Sequence, residues 1–276
     1  MEQTCYRHPD RETGVSCSSC GNPICVDCMT PTNVGMRCPE CSKHRTKVVS
    51  GPQAFRAADP QAAYAIIAVT VAAFAIQAFS AGSGRPRTGT IYENGVLFGP
   101  AVNDGEFWRL LTYGFLHADP IHLLLNMVGV FFLGQFLEPA LGSARFAGLY
   151  FASLFAGALG VMIQSPGSLT VGASGAVFGL MGGAIVFLRG SGVDIWRSPI
   201  MIILGINLLF TFSASNISIG GHLGGLAGGL ATAALILAAE RGRRRQREAG
   251  IAACVLVAVV SIAVAIWASG QISFYT

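Results

Sequence analysis

Beyond residue 60 the chain alternates long apolar runs with short polar connections. Seven runs stand out, at about 62–81, 121–138, 146–163, 171–188, 199–213, 217–239 and 250–268. Most approach the ~20 residues that a helix rising ~1.5 Å per residue needs to cross a bilayer core, and the fifth is the shortest. In hydrocarbon each segment must satisfy its own backbone hydrogen bonds, so the pattern predicts an all-α membrane bundle. In the long connection between the first two runs, "EFWRLLTYGFL" is apolar and aromatic yet too short to span. It predicts an interfacial or re-entrant element anchored by Trp108.

Before residue 60 the apolar periodicity disappears. Hydrophobic residues make up 52% of the whole chain and charged residues only 12%, the balance of a membrane protein, but the amino-terminal stretch holds seven of the eight cysteines. Two modules follow, and the chain divides into a zinc-binding domain at 1–44, a linker at 45–60, a six-helix core at 61–240, and a basic loop with a seventh helix at 241–276. The amino terminus lacks the apolar core of a secretory signal and is expected to stay in the cytosol.

The cysteines are paired by spacing. Cys5/His8, Cys17/Cys20, Cys25/Cys28 and Cys38/Cys41 are each two residues apart, with Gly21 and Pro23 supplying turn chemistry between pairs. Eight such ligands suit two tetrahedral zinc ions, and because no open position remains the metal would be structural. Seven cysteines cannot all form disulfides with one another, and the matched histidine also fits metal. His44 is a spare in a basic linker. The alternating pairs resemble the cross-brace zinc fingers of the B-box type, in which the first and third pairs share one ion and the second and fourth the other; a sequential arrangement stays open. Such a resemblance implies a cytosolic protein partner.

Charge asymmetry then orients the membrane part. With the amino terminus inside, the inner connections carry Arg145, Arg189, Arg197 and the five arginines of "ERGRRRQRE", as the positive-inside rule requires. The long outer loop, with Arg85, Arg87 and Arg109, is the exception, and long loops obey that rule weakly. The net charge of +4 is modest, and the arginine run reads as a membrane-flanking loop rather than a nucleic-acid site.

In this topology the second, fourth and sixth runs all enter from outside, and the unusual polar residues lie near their starts. His117, His122 and Asn126 belong to the second, Ser174 to the fourth and His222 to the sixth. Ser174 and His222 are expected about 5 to 8 Å along their helices. Glycines at 175, 179 and 183 and at 221, 225 and 229 form ladders that let those two helices approach, with first rungs expected level. A serine hydroxyl near a neutral imidazole is a nucleophile with its base. No carboxylate lies in either run to orient the ring, so the pattern predicts a Ser-His dyad. His122 and Asn126, four apart, share a helical face and can donate hydrogen bonds to a developing oxyanion, as can the Ser174 amide.

These residues resemble the rhomboid family of intramembrane serine proteases over about 60–240, through Trp108-Arg109, His122-x3-Asn126, Gly172-Ala173-Ser174-Gly175 and His222-x2-Gly225-x3-Gly229. The resemblance implies a six-helix core with one helix appended and a multi-pass protein of the cell membrane. It implies hydrolysis of transmembrane protein substrates within the bilayer, with Ser174 as nucleophile, His222 as base, and His122, Asn126 and the Ser174 amide as the oxyanion hole. Catalysis needs no cofactor. Phe178 replaces a tyrosine common in the family, which keeps stacking on the histidine but loses a hydroxyl; Gly221 stands where alanine is common. By the same analogy the fifth run and "FSASNISIGG" would gate access. The alternatives are a catalytically inactive rhomboid-like protein that binds membrane helices, and a transporter or channel with a zinc-sensing domain.

Overall fold

The computed structural model describes residues 3–32, 35–43, 60–82, 86–214, 217–240 and 246–271. His44, the basic linker, Arg85 and most of the arginine run lie outside the described residues. The chain separates into two compact units, Met1–Arg56 and Ala57–Thr276.

The first unit is built from two short hairpins. Strand β1 (Gln3–Cys5) pairs with β2 (His8–Thr13), and β3 (Thr30–Thr32) with β4 (Gly35–Arg37), followed by one turn of helix, α1 (Pro39–Lys43). So short a segment cannot bury much apolar surface. Its buried cluster consists of Ile24 and five of the cysteines themselves. Gly21 turns the chain with a φ of 79°, its N–H donating to the Cys17 carbonyl.

The second unit is helical. Five helices are long and apolar enough to cross a membrane: α2 (Gln61–Ser80), α6 (Pro120–Leu141), α7 (Ser143–Gln164), α10 (Ile219–Glu240) and α11 (Gln246–Gly270). Two shorter apolar helices, α8 (Ser174–Gly190) and α9 (Pro199–Ser213), complete the set. Each of the seven apolar runs thus contains one helix, in an all-α membrane bundle. Between α2 and α6 the chain forms α3 (Thr90–Gly95), α4 (Gly99–Asn103), α5 (Arg109–Thr112) and a 3₁₀ turn at Tyr113–Phe115. The aromatic stretch is therefore a series of short turns. Buried Arg109 ties them together, donating to the carbonyls of Glu93 and Val96 at 2.8 Å each and pairing with Glu106. Trp108 is half-exposed, and its Nε1–H donates to the Asn94 carbonyl at 2.9 Å.

Local chemistry sets the helix ends. Asp119 caps α6 by accepting from the His122 N–H at 2.9 Å, with Pro120 at the first helical position. Ser198 and Pro199 repeat the device on α9. At the other end of α6, buried Glu138 accepts from the N–H groups of Ala62 and Ala63 at 2.8 and 2.9 Å and from the Ser143 hydroxyl at 2.6 Å. It satisfies donors at the start of α2 that no intrahelical carbonyl can reach.

Helix α10 packs most extensively on α7 and α8. A Cβ added at Gly225 would collide with the Gly175 carbonyl, and one at Gly229 with the Gly179 carbonyl, so α8 and α10 touch backbone to backbone. Gly175 sits between Gly221 and Gly225, so the expected level first rungs are offset. A second set of small residues on α10 faces α7: Gly220 and Gly224 lie against Gly160, and Gly228 against Ala156. Helix α11 packs along α7 and reaches α4.

Candidate functional site

The fourth run does not become helical at residue 171. Gly172 has a φ of 122°, Ala173 is the N-cap, and Ser174 is the first residue of α8. Thr170 exchanges two 3.0 Å backbone hydrogen bonds with Leu97, which draws the preceding segment onto the α3–α4 loop. Ser174 is therefore at the helix start rather than a turn inside it. His222 lies three residues into α10. The Ser174 Oγ and His222 Nε2 are 2.8 Å apart. Phe178 stacks on the imidazole with ring centroids 4.2 Å apart and planes inclined by 20°.

The other ring nitrogen has a partner that the sequence reading missed. Thr211 Oγ1, on α9, lies 2.7 Å from His222 Nδ1. The same hydroxyl is 2.7 Å from the Asn207 carbonyl one turn earlier. The available signal was the pair Asn207-x3-Thr211, polar positions on one face of an otherwise apolar helix.

His122 and Asn126 face the same cavity as Ser174 and His222, a space of about 730 Å³. His122 Nδ1 accepts from the Ala118 N–H at 3.4 Å, so in the neutral ring the proton is on Nε2. That nitrogen lies beside Gly172, where an added Cβ would come within 2.7 Å of it. Asn126 Nδ2 uses one proton on the His122 carbonyl at 2.9 Å and has a second to offer. The first-turn amides of α8, beginning with Ser174, have no carbonyl one turn back. His117 shares this region but not the cavity lining: it is fully buried, its ring 5.0 Å from that of His122, and its N–H is held by the Gln77 amide oxygen at 3.0 Å.

In the first unit the paired residues gather into two clusters, Cys5, His8, Cys25 and Cys28 in one and Cys17, Cys20, Cys38 and Cys41 in the other. This is the alternating grouping, not the sequential one. Zinc–ligand bonds of ~2.3 Å to sulfur and ~2.0 Å to nitrogen put tetrahedral S···S edges at about 3.8 Å and S···N edges at about 3.5 Å. The Cys20–Cys38 sulfurs are 3.8 Å apart, and His8 Nδ1 is 3.4, 3.5 and 3.9 Å from the sulfurs of Cys25, Cys28 and Cys5. Both clusters could hold a metal ion. The Cys38 N–H, 3.3 Å from its sulfur, brings the Cys17 thiol down to about 6, while the neighbouring Cys38 and Cys20 sulfurs push Cys41 up to about 12. Burial and the Cys5 and Cys25 sulfurs push Cys28 up to about 11. A divalent cation would release those retained protons.

Comparison with known proteins agrees with the membrane part of this picture. Residues 104–239 match the family model described as the Rhomboid domain. The chain is 34% identical over 190 residues to Rhomboid protease GluP of Bacillus subtilis, covering 66% of this chain and 36% of that protein. It is 34% identical over 156 residues to Rhomboid-like protease 3 of Toxoplasma gondii, covering 54% and 59%. It is 35% identical over 162 residues to RHOMBOID-like protein 7 of Arabidopsis thaliana, covering 55% and 50%. The chain thus spans between about a third and three fifths of the length of these relatives.

Proposed function

Because the chain belongs to the rhomboid family, we propose that it is an intramembrane serine endopeptidase acting on transmembrane segments of other proteins, with Ser174 as nucleophile and His222 as general base. The observation that carries this reading is the 2.8 Å approach of the Ser174 hydroxyl on α8 to the imidazole on α10. The glycine contacts between those helices hold the two groups together.

In the proposed reaction His222 Nε2 takes the Ser174 proton as Oγ attacks the substrate carbonyl carbon. Negative charge develops on the carbonyl oxygen, where the His122 Nε2–H, the free Asn126 proton and the Ser174 amide can donate. Each such donor contributes on the order of 3 kcal/mol to the transition state. His222 then passes its proton to the departing amine, and water repeats the sequence on the acyl-enzyme. Phe178 supports the ring through its face.

The first unit carries, on this reading, two structural zinc ions, one in each cluster. The positive-inside rule, applied to Arg145, Arg189 and Arg197, supports a cytoplasmic location for that unit. A cytosolic protein partner for it remains an expectation from the B-box resemblance. In liposomes, the purified protein should cleave a single-span substrate bearing small residues near its outer end. Ser174→Ala and His222→Ala should each remove cleavage, and a fluorophosphonate should label the wild type but not Ser174→Ala. Undiminished cleavage by Ser174→Ala would overturn the assignment.

A further inference from the structure

We propose that Thr211 is a positioning residue that holds the His222 imidazole in its Nδ1–H form, leaving the Nε2 lone pair free for the Ser174 proton. The proposal rests on the serine–histidine reading above and adds a third residue, on a third helix.

The chemistry follows from counting protons. A threonine hydroxyl has one proton and two acceptor lone pairs. Thr211 Oγ1 is 2.7 Å from the Asn207 carbonyl and 2.7 Å from His222 Nδ1. The carbonyl can only accept, so the hydroxyl proton goes to Asn207. The oxygen must then accept from His222, which puts the ring proton on Nδ1. A neutral imidazole has one N–H, so Nε2, 2.8 Å from Ser174 Oγ, presents its lone pair to the serine. When Nε2 takes that proton, the ring becomes cationic with its Nδ1–H already held by a neutral oxygen. No carboxylate is needed for orientation.

Threonines in membrane helices commonly bond to the carbonyl four residues back simply to satisfy themselves. Thr70 and Thr232, both fully buried, do this toward Ile66 and Gly228 at 2.7 Å each. Among these buried helical threonines Thr211 differs, because its oxygen also meets a histidine. It is 1% exposed on a helix whose Ile202, Ile206, Leu209 and Phe210 are half-exposed or more, so a buried α9 side chain that meets the ring is polar. Valine at this position would fill the same space without an acceptor.

The test compares Thr211→Val and Thr211→Ser with the wild type, using steady-state cleavage in liposomes and ¹⁵N spectra of histidine-labelled protein, with the His222 signals assigned by their loss in His222→Ala. The wild type should show a protonated Nδ1 and an unprotonated Nε2. Thr211→Val should mix the tautomers and lower kcat by about tenfold to a hundredfold, within what general-base catalysis contributes, while KM changes by less than about twofold. Thr211→Ser should restore both. A wild-type spectrum with the proton on Nε2, or an unchanged kcat in a folded Thr211→Val, would overturn the proposal; the spectrum tests it even where Thr211→Val does not fold. If instead Ser174→Ala still cleaves, the dyad reading itself has failed, and the two failures are distinct.

Discussion

At Gly172 the backbone takes a φ of 122°, a conformation that side chains disfavour, and a Cβ there would come within 2.6 Å of the His122 ring. Gly172→Ala should therefore displace His122 and lower kcat at least about tenfold through the lost oxyanion donor, with substrate affinity nearly unchanged, as steady-state cleavage would report. Phe178→Leu removes an aromatic face worth ~0.5–1.5 kcal/mol and should slow fluorophosphonate labelling of Ser174 by about threefold to tenfold. Ser174 and His222 were legible in the sequence because polar groups in apolar runs demand a reason. Thr211 was not, because threonine satisfies itself in a helix and nothing in the α9 periodicity says which ring its oxygen will meet. The phenyl ring at 178 was legible as a stacking partner only through the family resemblance.

On the scale of helices, the four-residue glycine spacing correctly announced that α8 and α10 touch, but not their register or the second face of α10. Register depends on where each helix begins, and the start of α8 is set by Gly172 rather than by hydrophobicity. The α7-facing glycines at 220, 224 and 228 follow the same spacing one residue earlier, hidden inside the same glycine-rich string. The contact predicts a contrast between two single substitutions. Gly229→Ala would drive a methyl group into the Gly179 carbonyl and should lower thermal stability in detergent by ~1–3 kcal/mol, with loss of cleavage. Gly205→Ala on α9 has open space around it and should leave stability unchanged or raise it by up to ~1 kcal/mol. Equal effects from the two would show that the α8–α10 approach does not hold the bundle together.

For the whole molecule, the change from paired cysteines to apolar runs near residue 60 marked the two units, and the ligand spacing marked eight candidate metal-ligating residues, whose alternating grouping was legible only through the B-box resemblance. Grouping depends on how the two hairpins fold, which no local pattern encodes. A strong chelator should remove about two equivalents of zinc from the full chain and expose residues 3–43 to added protease, while cleavage of a membrane substrate persists. Loss of proteolysis on chelation would instead make the cysteine unit part of the catalytic requirement. The cavity has one further property: the first turns of α6, α8 and α10 all border it, contributing Ile121, Ser174 and Ile219. Three positive dipole ends that favour a transient oxyanion also favour a carboxylate. The proposed hydrolysis would leave one on the fragment upstream of the cut, so that fragment should be retained longer than its counterpart. A peptide ending in a free acid should compete with substrate better than its amide, making the spent product a natural brake on turnover.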